Sequence, residues 1–100
     1  MPEREAKIRY DLVMDFEEWL ARCLTKGATN YGPRSYQRMD AAAVADCVNH
    51  AKEHMRLGLN GDTSEPHFVH AAVNLLIVEW HRQFRPDSIR ALRESGDWPA

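Results

Sequence analysis

In the stretch HFVHAAVNLLIVEWH, four polar side chains recur at helical spacing: His67, His70, Asn74 and His81. At 3.6 residues per turn they fall within an arc of about 60°. Between His70 and Glu79 every other residue is apolar, so Asn74 sits in what reads as a buried helix. An unpaired amide in a core costs on the order of 1–3 kcal/mol, so the stripe needs partners. A second polar set, Asp46, Asn49, His50 and Glu53, shares one face of AAAVADCVNHAKEHMRL. Asp46, His50 and Glu53 could converge on one metal ion or water, and the same face equally reads as solvated. A third set lies in KGATNYGPRSYQR, where Lys26, Arg34 and Arg38 alternate with Tyr31 and Tyr36. Cations interleaved with aromatics suit an anion or a base. They also suit a loop that packs its tyrosines and leaves its cations in water.

Four helical segments are expected to position these groups, and no segment shows sustained β alternation. The first runs from about Asp11 to Thr25, with Leu12, Phe16, Trp19, Leu20, Cys23 and Leu24 on one face and Gly27 as its C-terminal cap. Residues 26–38, with two glycines, a proline and an asparagine, read as loop. The second helix opens on Asp40 as N-cap and gathers Val44, Cys47, Val48, Ala51 and Met55 on its apolar side. After the turn-rich GLNGDTSEP, Ser64 is expected to cap a third helix with Pro66 in its first turn. That helix reaches Gln83, where Arg85-Pro86 breaks it. Asp87 caps a short fourth helix ending at Gly96, and the tail DWPA is loose unless Trp98 docks. The expectation is an all-α, compact bundle of three main helices plus a short C-terminal helix, one domain over 1–100, its core at about 8–84. The third helix, apolar nearly all round, is the central element. The polar faces of helices two and three then make an intra-bundle pocket, with Asp46, His50 and Glu53 opposite His70 and Asn74.

Composition sets limits on partners. Lys and Arg number 13 against 15 Asp and Glu, a net charge of −2, which argues against general nucleic-acid binding. It leaves room for a small phosphorylated ligand. Cys23 and Cys47 lie inside helical patterns without CxxC spacing and read as reduced core residues. The start MPEREAKIRYD has no signal-peptide core, and the longest apolar run is too short to span a bilayer. A cytoplasmic protein is expected, with no membrane partner.

The order of KGATNYGPRSYQR, DCVNHAKEHMRLGLNGD and EPHFVHAAVNLLIVEW resembles a family of small, mostly phage-encoded dATP/dGTP diphosphohydrolases, a branch of the all-α MazG-like nucleotide pyrophosphatases. The resemblance spans about residues 7–80. Gly27, Ala28, Tyr31 and Gly32 match the family's first loop. Asp46 and His50 match its second helix, and His70, Ala71, Ala72 and Asn74 its third. The chain departs in carrying Tyr36 where a tryptophan is frequent, and Thr29-Asn30 where acidic and basic residues are common. The wider superfamily holds Mg²⁺ on EExxE and ExxD patterns. Here Glu17-Glu18 is the adjacent acidic pair, and Asn74 stands where an aspartate would be expected.

The resemblance implies Mg²⁺-dependent cleavage of a purine deoxynucleoside triphosphate to monophosphate and pyrophosphate, in a host cytoplasm if phage-encoded. Such chemistry rests on positioning and charge stabilisation. Glu18, Asp46 and Glu53 are the expected metal ligands. His50 or His70 would orient water or donate to a phosphate oxygen, while Asn74 completes the metal shell or fixes a histidine tautomer. Lys26 and Arg34 would neutralise phosphate, and Tyr31 or Tyr36 stack on the base. The competing reading is a non-catalytic helical binding or assembly module, with the stripe as a register device. A third is a zinc hydrolase on His50, His67 and His70, although no HExxH is present and His50 and His54 flank Lys52-Glu53 instead. A homodimer or higher oligomer follows from the all-round apolar central helix, with Trp19, Trp80 and Phe84 at the contact.

Overall fold

A computed structural model describes residues 7–99. It is all-α among those residues: α1 (Met14–Tyr31), α2 (Ala41–Leu59), α3 (His67–Phe84) and α4 (Pro86–Ser95), with 3-10 turns at Tyr10–Val13 and Ser35–Arg38. The start of α2 is fixed as expected, the Asp40 carboxylate accepting from the Ala43 N–H at 2.8 Å. At the far end of α4, Gly96 takes the left-handed conformation at φ 82° and its N–H reaches back to the Arg93 carbonyl. The Trp98 N–H bonds the Leu92 carbonyl at 3.2 Å, so the tail folds back onto α4.

Three boundaries differ from expectation, one being the start of α4, which opens at Pro86 behind Arg85 with no side-chain cap, so that Asp87 lies within its first turn. α1 runs through Gly27 to Tyr31, absorbing half of the segment read as loop. The Thr25 and Thr29 hydroxyls each donate to the carbonyl one turn back, at 2.7 and 3.0 Å, leaving no backbone donor diverted from the helix. The stop is Gly32, at φ 92°, followed by Pro33. α3 begins two residues later than predicted, at His67, with Pro66 at the cap position and no side-chain cap from Ser64. Instead the Ser64 N–H is held by the Asp62 carboxylate at 2.8 Å, which shapes the turn between α2 and α3.

The core extends past the expected 8–84 at its C-terminal end. Its buried apolar residues are Val44, Ala45, Cys47 and Ala51 of α2, Ala71 and Val73 of α3, and Ile89 and Leu92 of α4. The short C-terminal helix therefore belongs to the core, while α1 buries no residue completely. α2 and α3 form the tightly packed antiparallel pair, and α1 lies along α3. The outer flank of α1 and α3 stays open. Phe16, Trp19, Leu24, Phe68, Leu75 and Leu76 are exposed, and two apolar grooves run between the helices past Leu20 and Leu76. No described helix is long and apolar enough to cross a membrane.

Burial pushes the Cys47 thiol up to about 11, so this cysteine is a core residue that stays protonated. Cys23 is half-buried and likewise a free thiol.

Candidate functional site

The turn joining α2 to α3 brings the last turns of one helix against the first turns of the other. Four ionisable side chains meet there: His54 from α2, Glu65 from the turn, and His67 and His70 from α3. The Nδ1 atoms of His54 and His67 lie 2.9 Å apart. Glu65 Oε1 is 3.3 Å from His54 Nδ1, 3.7 Å from His67 Nδ1 and 2.9 Å from His70 Nδ1. An ionised carboxylate only accepts, so His70 donates its Nδ1–H to Glu65. The His54 ring packs edge-on to His70, with ring centres 5.1 Å apart. His67 is buried, at 4% exposure, and its Nε2 faces Asp62 Oδ2 at 3.2 Å without the alignment of a hydrogen bond.

Each shift in this cluster has a visible cause. The hydrogen bond from His70 holds the Glu65 carboxyl below its ordinary value. Asp62 is lowered chiefly by the Ser64 backbone bond. Burial lowers His54, with Glu65 opposing and the neighbouring imidazoles adding to the fall.

The expected site residues are distributed differently. Asp46, His50 and Glu53 face solvent on α2. The histidine of α2 that meets His70 is thus His54, a turn beyond His50. Glu53 is engaged by the Arg56 guanidinium, whose bond holds it below the usual carboxylate range, and Glu18 by Arg22 at 2.8 Å. Asn74 is half-buried and donates to the His70 carbonyl at 2.8 Å, within its own helix. The amide that the apolar run left unexplained is therefore satisfied locally, with no second element involved.

The aromatic and basic group lies at the other end of α3. Tyr31, at 76% exposure, Lys26 and Arg34 are open to solvent. Arg34 adopts a left-handed backbone at φ 55°. Arg38 is a structural brace, donating to the Pro33 and Tyr31 carbonyls at 3.1 and 3.3 Å. Tyr36 is half-buried, with its ring edge-on to Trp80 and its carbonyl accepting from His81 Nε2 at 2.6 Å. From His67 to His81 is about 21 Å of helix rise. Tyr36 and His70 thus lie toward opposite ends of α3.

A divalent magnesium ion asks for several oxygen donors in near-octahedral array. Glu18, Asp46 and Glu53 do not meet in that way, and two of them already serve arginines. Among the described residues, the group whose ligand atoms do converge is His54, Glu65 and His67. Glu18, Asp46 and Glu53 of one chain therefore do not fit Mg²⁺. Sequence reasoning had His67 and His70 in the stripe and His54 only in a near-miss to HExxH, and it left out Asp62 and Glu65. The available signal was the spacing itself: five histidine or acidic residues between positions 54 and 70, flanking a turn that must fold α3 back on α2.

No curated protein and no solved structure matches the chain. Residues 2–88 match the model of the family described as dATP/dGTP diphosphohydrolase, N-terminal, and the chain belongs to that family.

Proposed function

We propose that this family member hydrolyses purine deoxynucleoside triphosphates, dATP or dGTP, to the monophosphate and pyrophosphate. The observation that carries the reading is the match over residues 2–88 to a family described by that activity. The substrate is taken as the Mg²⁺ complex of the triphosphate. Lys26 and Arg34, both exposed near the end of α1, would neutralise phosphate charge, and the open Tyr31 ring offers a stacking surface for the base. His70 and His50 remain the groups for orienting water, with the Asn74 amide oxygen still free to accept.

The basic loop and the histidine cluster lie toward opposite ends of α3, which favours a homodimer as the working unit. The exposed apolar flank of Phe16, Trp19, Phe68 and Leu76 is the surface such a contact would cover. Phe84 is exposed at its edge and Trp80 lies beside it, ring centres 5.1 Å apart. A second copy laid antiparallel would bring the basic loop of one chain to the histidine end of the other.

Incubation with each of the four dNTPs and Mg²⁺, followed by chromatography of the products, tests the reading. Monophosphate and pyrophosphate from dATP or dGTP, in excess over the pyrimidines, is the expected result. Release of orthophosphate with diphosphate, or no product above blank, would overturn it. In the second case, a dimer in gel filtration would leave the assembly module, which the open flank also favours.

A further inference from the structure

We propose that His54 Nδ1, His67 Nδ1 and Glu65 Oε1 bind a transition-metal dication, with Zn²⁺ the ion that suits them best. The site differs in place and donor type from the Mg²⁺ carboxylates that the family resemblance implies, and it does not depend on the proposed hydrolysis.

Geometry is the first support. The three donor atoms form a triangle with edges of 2.9, 3.3 and 3.7 Å. A tetrahedral ion with nitrogen and oxygen ligands at roughly 2.0–2.2 Å has donor-to-donor edges of about 3.4 Å. Small adjustments therefore turn this triangle into one face of a zinc tetrahedron, with Glu65 its most exposed member.

Chemistry is the second. Two imidazole nitrogens that confront each other at 2.9 Å repel through their lone pairs unless a positive centre lies between them. A proton on one ring answers this for a single pair, but Glu65 Oε1 faces both nitrogens, and a dication satisfies all three donors at once. Two imidazoles and one carboxylate suit zinc, iron or nickel, and disfavour magnesium or calcium, which take oxygen.

The surroundings are the third. Ligating side chains are held by outer partners that fix their tautomer and orientation. His70 donates to Glu65 at 2.9 Å, and Asp62 lies 3.2 Å from the far nitrogen of His67. That nitrogen is buried and has no hydrogen-bond partner. A ring turned slightly by a metal on Nδ1 would bring its Nε2–H onto Asp62.

The test uses the full chain, freed of metal with a chelator and dialysed against Zn²⁺, with bound metal measured by mass spectrometry. Co²⁺ serves as the optical probe. One ion per chain is expected, with the visible bands of tetrahedral cobalt and a chelator-reversible rise in the melting midpoint. Glu65→Gln and His54→Gln, both at partly exposed positions, should abolish stoichiometric uptake while circular dichroism shows the helices intact. Asp62→Asn should weaken binding roughly 10- to 100-fold. Glu79→Gln, a carboxylate elsewhere on α3, should leave it unchanged. Absence of uptake by the unaltered chain overturns the proposal. So does undiminished uptake by the His54→Gln, Glu65→Gln double variant. Neither readout needs a nucleotide, so failure here is distinct from failure of the hydrolysis assay.

Discussion

α3 carries a buried histidine at each end, and the two are in opposite situations. His81 is fully buried, and its Nε2 lies 2.6 Å from the Tyr36 carbonyl. A carbonyl only accepts, so Nε2 carries the proton and the bare Nδ1 is left without a partner. The ring packs against Trp80, and no carboxylate is bonded to it. His67 lies among Asp62, Glu65, His54 and His70. One residue type on one stripe thus serves two ends: His81 pins the 3-10 turn to the bundle, whereas His67 faces donors that can hold an ion. The stripe was one pattern in the sequence, but burial with a carbonyl and burial with carboxylates are different chemistries.

The sharpest way to break this comparison is to remove each histidine's role in turn. His81→Ala deletes a fully buried side chain and leaves the Tyr36 carbonyl without its donor. A loss of roughly 2–4 kcal/mol is expected, which for a chain of this size lowers Tm by about 10–20 °C. Thermal and urea denaturation check it. His81→Gln, which restores a donor, should recover part of the loss. A change too small to resolve would mean that the 3-10 turn is held by Tyr36 and Trp80 alone.

At the other end the effect should appear with metal. Free Zn²⁺ at a hundredfold excess over its Kd should stabilise the chain by about 2.7 kcal/mol, because it binds the folded state. Calorimetric melting with and without chelator measures this. Glu65→Gln should remove the metal-dependent rise. In the folded His81→Ala protein, below its lower midpoint, the rise should persist. Loss of the response in both variants would show that the two ends act as one unit.

The comparison also shows what the sequence could and could not convey. The N-cap at Asp40, the stop at Gly96 and the central position of α3 were legible, because each rests on local bonding or on one helix's own periodicity. The histidine cluster was not. Its members belong to two helices and a turn, and only the fold-back at Asp62 and Ser64 places His54, rather than His50, against His70. The core shifted for a similar reason: Ile89 and Leu92 look peripheral until α4 is seen against α2 and α3. Gly27 was misread because a glycine's helix penalty of about 1 kcal/mol is a weak signal beside the turns that follow it. A Cβ built there meets nothing, and the backbone is helical. Gly27→Ala should therefore stabilise the chain by about 0.5–1 kcal/mol. Were residues 26–31 a loop of unusual conformation, the same change would destabilise it.

The smallest expected effect concerns Glu79, a carboxylate on the same helix as His67 and more heavily hydrogen-bonded than Glu65. The Arg82 guanidinium, at 2.6 Å, and then Gln83 lower its pKa to about 2. A carboxyl lowered on folding lends stability above its unfolded pKa and loses it as pH falls toward about 2, so the contribution is complete at neutral pH. Both partners are open to water, however, and exposed pairs one turn apart contribute little and are screened by salt. Glu79→Gln should shift the neutral-pH midpoint barely beyond error, and the shift should vanish at acid pH or high salt. Glu65 has a lowered pKa too, but its partners are histidines that are themselves half or fully buried. If Glu65→Gln proves as mild as Glu79→Gln in the metal-free chain, the cluster contributes to stability only through the ion it binds. If it is clearly worse, the carboxylate already holds the turn before any metal arrives.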